Sequence, residues 1–212
     1  MRTSFEDWLR ASIGLGDEWS VEDVDFNVHP DLLGEQVRYI GRPVCPVCGR
    51  ECPGYDVRRR TWRDLDFGKS RCDVTAEFPR VNCPDHGVRE IRVEWAGRAS
   101  NLTLSFERAC LRYSRVMPVR LAADLLGVSE STVWRVVKHY TDHRMRDLDL
   151  SGLTRFCIDE TSYKKGHRYI TSVVNPDTGG VIFGTLGNDV TVLREFRRGS
   201  STTAGTPTAS RP

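Results

Sequence analysis

The sequence predicts an α+β multidomain chain built from small modules rather than around one large core. Three observations carry that expectation. Two matching cysteine phrases bracket a stretch of strand-like alternation, a helical block with a glycine-marked turn follows, and from Arg155 the pattern returns to strands. At 212 residues the chain is long enough for one or two domains with real cores. Hydrophobic residues at 39% and charged residues at 28% exclude a disordered chain and fit a globular one.

Phe5, Trp8, Leu9 and Ile13 fall at helical spacing and predict a short amphipathic helix. Val24, Phe26 and Val28 alternate with polar residues as in a half-buried strand, with Val37 to Ile40 as its partner, so residues 1–40 read as an acidic segment with a β-hairpin. Residues 1–36 hold nine acids against two arginines, a net −7, which leaves +9 on residues 37–212 of a chain whose total is +2. A basic body behind an acidic head suits a nucleic-acid partner, although an ordinary solvated surface has the same look. Only four of the 31 basic residues are lysines (Lys69, Lys138, Lys164, Lys165), a bias that a GC-rich coding sequence also produces. No run of 18 apolar residues is present, and the opening Met1-Arg2-Thr3-Ser4-Phe5-Glu6-Asp7-Trp8 lacks the apolar core of a signal peptide. A cytoplasmic location and no membrane partner are therefore expected.

Residues 41–96 form the cysteine module. Cys45-Pro46-Val47-Cys48-Gly49 and Cys83-Pro84-Asp85-His86-Gly87 match in form. Each offers two ligand-type residues separated by two, and each is followed by a glycine that permits the positive φ of a tight turn. Two such turns supply the four ligands of a closed tetrahedral zinc site, Cys45, Cys48, Cys83 and His86. Four protein ligands leave no open position, so the zinc is expected to be structural rather than catalytic. The gap between the phrases is longer than in common zinc ribbons. An inserted β-hairpin accounts for it, with strands at Arg60 to Leu65 and Asp73 to Phe78 around the turn Asp66-Phe67-Gly68-Lys69. Cys52 and Cys72 remain alternative ligands, whereas Cys110 and Cys157 read as small core residues. Ile91 to Trp95 reads as a further strand, and Ala96 to Asn101 as a linker.

Residues 100–148 read as a three-helix, helix-turn-helix domain. Thr103 caps a first helix that carries Leu104, Ala109, Leu111 and Val116 before Pro118 stops it. In the segment Val119 to Tyr140, Leu121, Ala122 and Leu125 give the next helix its expected buried side, and Ala123 is small where two helices approach. Gly127 marks the turn, Val128 plugs the corner and Ser129 is a good N-cap. Val133, Val136 and Val137 bury one face of the last helix. The other face presents Glu130, Ser131, Thr132, Arg135, Lys138 and His139, short polar groups first and cations after. A recognition helix in a major groove needs that order, and Arg115 and Arg120 can add backbone contacts. A helical hairpin that only packs is the alternative.

Beyond Arg155, Phe156-Cys157-Ile158, Tyr169 to Val174 and Val181-Ile182-Phe183 predict three strands joined by turns at Lys164-Lys165-Gly166 and Asn175 to Gly180. Asp159 and Glu160 close the first strand. This suits the opening β-meander of a ribonuclease-H-like domain, in which carboxylates hold Mg²⁺ for in-line phosphoryl transfer, although a strand followed by a charged turn is the plainer reading. Residues 191–212, ending in a Gly/Ser/Thr/Ala/Pro run from Gly199, read as a disordered tail.

Taken together, residues 20–190 resemble the insertion-sequence transposases of the ISL-three group. The phrases that carry the resemblance are the two cysteine phrases, Arg60-Thr61-Trp62-Arg63-Asp64-Leu65-Asp66, the Val119 to Tyr140 segment, and Ile158-Asp159-Glu160-Thr161 through Thr171. The resemblance implies an N-terminal zinc finger and helix-turn-helix that bind double-stranded DNA at the element's terminal inverted repeats. It implies a homo-oligomer on paired ends, and a DDE (ribonuclease-H-like) catalytic domain whose first acid, a Mg²⁺ ligand, is Asp159. The later acids here are Glu160, Asp177, Asp189 and Glu195, and they do not match the family's second Asp and Glu, so residues 153–190 are expected to be an incomplete catalytic domain and the chain truncated and inactive in strand transfer. The alternative is a zinc-dependent helix-turn-helix regulator, or a fragment without function.

Overall fold

Strict alternation over residues 72–78 sets the architecture of the first half. Cys72, Val74, Ala76 and Phe78 point to one side and are buried, while the residues between them face outward. The computed structural model describes residues 5–29, 31–187, 194 and 196. In order, its elements are α1 (Phe5–Ile13), β1 (Trp19–His29), β2 (Leu32–Tyr39), β3 (Gly54–Phe67), β4 (Ser70–Cys83), β5 (Gly87–Glu90), α2 (Leu104–Ser114), α3 (Val119–Leu126), α4 (Glu130–Arg146), β6 (Cys157–Lys164), β7 (Arg168–Asn175) and β8 (Gly180–Leu186). They fall into two compact units, residues 1–139 and 140–212.

The first unit is built on one five-stranded sheet in the order β1-β2-β4-β3, with β5 also paired to β4. The β3–β4 hairpin lies between the two cysteine phrases and turns at Gly68, whose φ is +62°. It is longer at both ends than the sequence pattern indicates. β1 and β2 form the N-terminal hairpin, and β2 then runs parallel to β4 from Leu32↔Arg71 to Arg38↔Glu77. Residues 1–40 and 41–96, separated in the sequence reading, thus share a sheet. They also share a core in which Trp62 meets Trp95, and Trp95 meets Trp19, edge to face at 5.1 and 5.3 Å.

Three local expectations are corrected. The strand after His86 is Gly87–Glu90, and Ile91, Val93 and Trp95 enter the core from irregular backbone instead. Residues 96–101 are no linker. Gly97 N–H donates to the Leu102 carbonyl at 2.8 Å, and the loop closes over the carboxylate of Glu107, a fully buried side chain of α2. α3 is turned by one residue, roughly 100°, from the expected face. Ala122, Ala123 and Leu126 are buried, while Leu121 and Leu125 are exposed. The two alanines allow a close approach that leucines at those positions would block.

In the second unit β6, β7 and β8 form an antiparallel meander in that order. Val173, Ile182 and Phe196 make its small core. Cys157, expected in a core, is exposed on β6. Of the tail expected to be disordered, residues 191–212, only Arg194 and Phe196 are described. Phe196 is buried against Val173 and Ile182, so the disorder expected from residue 191 does not hold at Phe196. Asp189, Glu195 and the Gly/Ser/Thr/Ala/Pro run from Gly199 lie outside the described residues. No helix among the described residues is long and apolar enough to cross a membrane.

Alternation on β2 places Glu35 inward between Leu33 and Val37, and its Oε2 has no hydrogen-bond partner. Burial, reinforced by the charge of Asp64, lifts its carboxyl from 4.5 to about 7. A folded-state value above the unfolded one means that the fold binds an extra proton between those limits. The stability gained from the neutral form is complete below about pH 4.5 and is lost as pH rises through about 7. Glu35→Gln is therefore expected to raise the stability of zinc-loaded protein by about 1–2 kcal/mol near pH 8, and by little near pH 5. Urea melts at the two pH values measure this, and an equal effect at both removes the assignment.

Candidate metal and nucleic-acid site

Each cysteine phrase folds into a tight turn. In the first, Cys45 N–H donates to the Arg50 carbonyl and Gly49 N–H to the Cys45 carbonyl, both at 2.8 Å, with Gly49 at φ +70°. In the second, β4 and β5 pair Cys83 with Gly87, whose φ is +67°. An Arg50–Asp85 ion pair at 2.9 Å links the turns across their outer side.

The turns bring Cys45, Cys48, Cys83 and His86 together, with all four ligand atoms within 4.8 Å of one another. The Cys48 and Cys83 sulfurs are 3.8 Å apart, and His86 Nδ1 lies 3.7 Å from Cys45 and 3.4 Å from Cys83. A tetrahedral zinc with ordinary bond lengths needs edges of about 3.8 Å between sulfurs and about 3.6 Å between sulfur and nitrogen. The residues present therefore fit the ion. The Cys83 thiol is tuned towards thiolate. Burial raises it, but the N–H groups of Asp85 and His86 and the thiols of Cys45 and Cys48 outweigh burial and bring it down to about 7. Cys52 and Cys72, the alternative ligands, stand outside the four-atom group. The first is buried beside it with its Sγ turned to the Arg50 carbonyl, and the second lies on β4 with its Sγ turned to the Ser70 carbonyl.

The helical part is pinned to this sheet by two consecutive residues of β3. The Asp64 carboxylate accepts the hydroxyl of Thr103, which also caps α2 by accepting the Phe106 N–H at 3.2 Å. Arg63 reaches the other way. Its Nη2 donates to Asp66 at 2.7 Å and to the Leu126 carbonyl, at the end of α3, at 3.4 Å, while its guanidinium lies over the Phe106 ring. The sequence pattern marked both only as part of the phrase Arg60 to Asp66 and gave neither a role. Trp62 and Asp64 are the two buried residues of β3, and the polar residues that share their face, Asp56, Arg58, Arg60 and Asp66, gave no signal that Asp64 turns inward.

α3 ends at Gly127, in the left-handed region at φ +61° and ψ +37°. The Val128 N–H returns to the Ala123 carbonyl at 3.1 Å, and Ser129 Oγ accepts the Thr132 N–H at 3.2 Å to cap α4. The Ser129 hydroxyl also bonds those of Ser131 and Thr132. Val133 and Val136 are fully buried, so α4 turns Glu130, Ser131, Arg135 and Lys138 to the surface, with Thr132 and His139 half-buried at its margin. Arg120 is exposed on α3 and Arg115 at the end of α2. Glu130 accepts the Trp134 indole N–H at 3.4 Å.

On β6, Asp159 is exposed and accepts the Thr161 hydroxyl at 3.2 Å. Glu160, the next residue along the strand, faces the opposite side of the sheet. Asp177 is bound to Arg155. Among the described residues the only group of three or more potential metal ligands is the Cys/His cluster.

A four-ligand cysteine-histidine knuckle pair joined to a capped helix-turn-helix defines a DNA-binding class of protein. Comparison narrows the class. Residues 41–86 match the zinc-finger of the transposases IS204/IS1001/IS1096/IS1165, and residues 91–141 match the helix-turn-helix domain of transposase family ISL3. The first unit therefore carries modules that match the zinc finger and the helix-turn-helix of insertion-sequence transposases of that family. The chain is 32% identical over 199 residues to the transposase for insertion sequence element IS1557 of Mycobacterium tuberculosis, covering 89% of this chain and 44% of the relative. It is 27% identical over 195 residues to the transposase for insertion sequence element IS1001 of Bordetella parapertussis, covering 89% and 47%. The chain thus spans less than half the length of these relatives. No solved structure matches it.

Removing one ligand strands the others around a charge they cannot hold. Cys83→Ser is expected to lower bound zinc from about one per chain to near none, and to lose the cooperative melt of the β3–β4–β5 sheet. Metal content and circular dichroism measure the two effects. Cys52→Ser, outside the cluster, should keep the metal.

Proposed function

We propose that this chain binds duplex DNA at the terminal inverted repeats of an insertion element, with α4 as the helix that enters the major groove and zinc as a structural ion held by Cys45, Cys48, Cys83 and His86. The carrying observation is the α3–Gly127–Ser129–α4 corner, which is capped at both ends and turns Glu130, Ser131, Thr132, Arg135, Lys138 and His139 outward or to the margin. Base edges are met near the start of such a helix and phosphates around it, and Arg120 on α3 suits a backbone contact. Bound zinc supplies no chemistry here beyond fixing the two turns. The sheet then carries Arg63 and Asp64, which hold α2 and α3.

The second unit is read as the opening meander of a ribonuclease-H-like domain, with Asp159 as the first acid of a DDE triad and a ligand for Mg²⁺. Its support is the β6-β7-β8 order with Asp159 exposed on the first strand. Since Glu160 faces away and Asp177 is engaged by Arg155, a polypeptide of residues 1–212 is read as binding DNA without joining it. In the family's assembly on paired ends, further carboxylates complete the clamp.

The reading is tested with labelled duplexes carrying the element's ends and shuffled controls, before and after zinc chelation. Zinc-loaded protein should prefer the ends by at least about tenfold, and chelation should abolish the preference. Arg135→Gln should cost about 1–3 kcal/mol on the end sequence while leaving zinc content intact. Equal, salt-erased affinity for every duplex overturns the proposal. In a separate strand-transfer assay with Mg²⁺, residues 1–212 should give no joined product, and product would overturn the non-joining assignment.

A further inference from the structure

Two adjoining clefts flank the start of α4. The larger, of 610 Å³, is lined by Arg60 and Trp62 of β3, Glu90 of β5, Arg92, the 96–101 loop and Arg135 of α4. The smaller, of 330 Å³, shares Ser100, Asn101 and Arg135 with it and adds Arg63 and Arg71. Across both, six arginines face one acid, Glu90. Arg60 is paired with that acid at 3.3 Å, Arg63 with Asp66 and Arg71 with Asp73. Arg92, Arg98 and Arg135 have no acidic partner among the described residues.

The rim that carries Arg98 is rigid. The Glu107 carboxylate, wholly buried, accepts the N–H groups of Arg98 and Ala99 and the Ser100 hydroxyl, each at 2.9 Å. Gly97 is required there, because a Cβ would come within 2.5 Å of that carboxylate and of the Leu102 carbonyl. Arg92 follows Ile91, which is anchored in the core. A loop held by a buried carboxyl group, with the unpaired guanidinium of Arg98 on it and that of Arg92 just before it, is the arrangement of a preformed anion receptor rather than of a solvated surface.

We propose that this cleft is a phosphate clamp. Arg92 and Arg98, on the sheet side, grip the sugar-phosphate backbone of the duplex whose groove receives α4, and Arg135 marks the point where the two contacts meet. The proposal rests on the reading of α4 as the DNA-entering helix and extends it, since it makes the segment that joins the zinc module to α2 part of the interface. A backbone ligand is favoured over an acidic peptide because Arg135 belongs both to the cleft and to the outward face of α4. Phosphate contacts of this kind position a duplex and carry no sequence information.

The test uses the full chain, zinc-loaded, and a fluorescent mixed-sequence duplex of about 30 base pairs, with anisotropy titrations between about 50 and 200 mM salt. The double variant Arg92→Gln/Arg98→Gln should reduce the slope of log K against log salt by about two, close to one for each phosphate no longer neutralised, and weaken binding at least about tenfold at the lower salt. The preference for element ends over shuffled sequence should be unchanged. Arg58→Gln/Arg59→Gln, two exposed arginines of β3 that do not line the cleft, serves as the charge-matched control and should change the slope by much less. Equal slopes for wild type and the cleft variant, with zinc content and melting preserved, overturn the clamp and leave the α4 reading standing. The same holds if the control loses as much slope as the cleft variant, or if an acidic peptide competes at matched ionic strength while the duplex slope stays the same. Failure of the wild-type chain to bind any duplex overturns both readings.

Discussion

Arg63 and Asp64 hold the first unit in register. They are neighbours on one strand, so their side chains leave opposite sides of it, and each takes one end of the helical pair. Asp64 fixes the start of α2 through Thr103, and Arg63 fixes the end of α3 through the Leu126 carbonyl, where the helix dipole favours a cation. The backbone of Arg63 does the same for the joining loop, donating to the Asn101 carbonyl and accepting from the Thr103 N–H, both at 2.9 Å. The corner that aims α4 is therefore indexed to the sheet from both sides.

The zinc site stands upstream of that joint. The cysteine turns bracket the β3–β4 hairpin, and the same hairpin carries Arg63 and Asp64 some way from the metal ligands. A sheet with so few covering elements draws rigidity from its tryptophan cluster and, when zinc is bound, from the ion, as small modules usually do. In the proposed function, a structural metal at one end therefore acts on DNA binding at the other through strand geometry.

The legible parts of the sequence were those with local causes. Ligand spacing and the glycines after each phrase gave the two turns, and Thr103, Gly127 and Ser129 gave the helix ends, because caps and positive φ are set by neighbours in the chain. The face of α3 was not legible. Leu121 and Leu125 have the periodicity of a buried stripe, yet Ala122, Ala123 and Leu126 are inside, because helix proximity rather than hydrophobicity decides which side of so short a helix turns inward. Residues 96–101 look like a linker by composition. Their small side chains serve instead to let backbone N–H groups converge on Glu107, an arrangement between residues up to nine apart that no periodicity reveals.

Glu107 and Glu35 show two outcomes for an acid inside a small protein. Glu107 meets two backbone N–H groups and a hydroxyl, so its burial organises a loop. Glu35 leaves one oxygen without a partner near another acid, so its burial pushes it towards the neutral form instead. The difference lies in donors. The first acid sits where irregular backbone can bend its N–H groups inward, and the second sits under a sheet whose N–H groups are already committed to neighbouring strands. The irregular segment between the sheet and α2 thereby does what regular structure cannot. It binds a charge internally and, by being held still, presents Arg98 at the edge of the cleft beside α4.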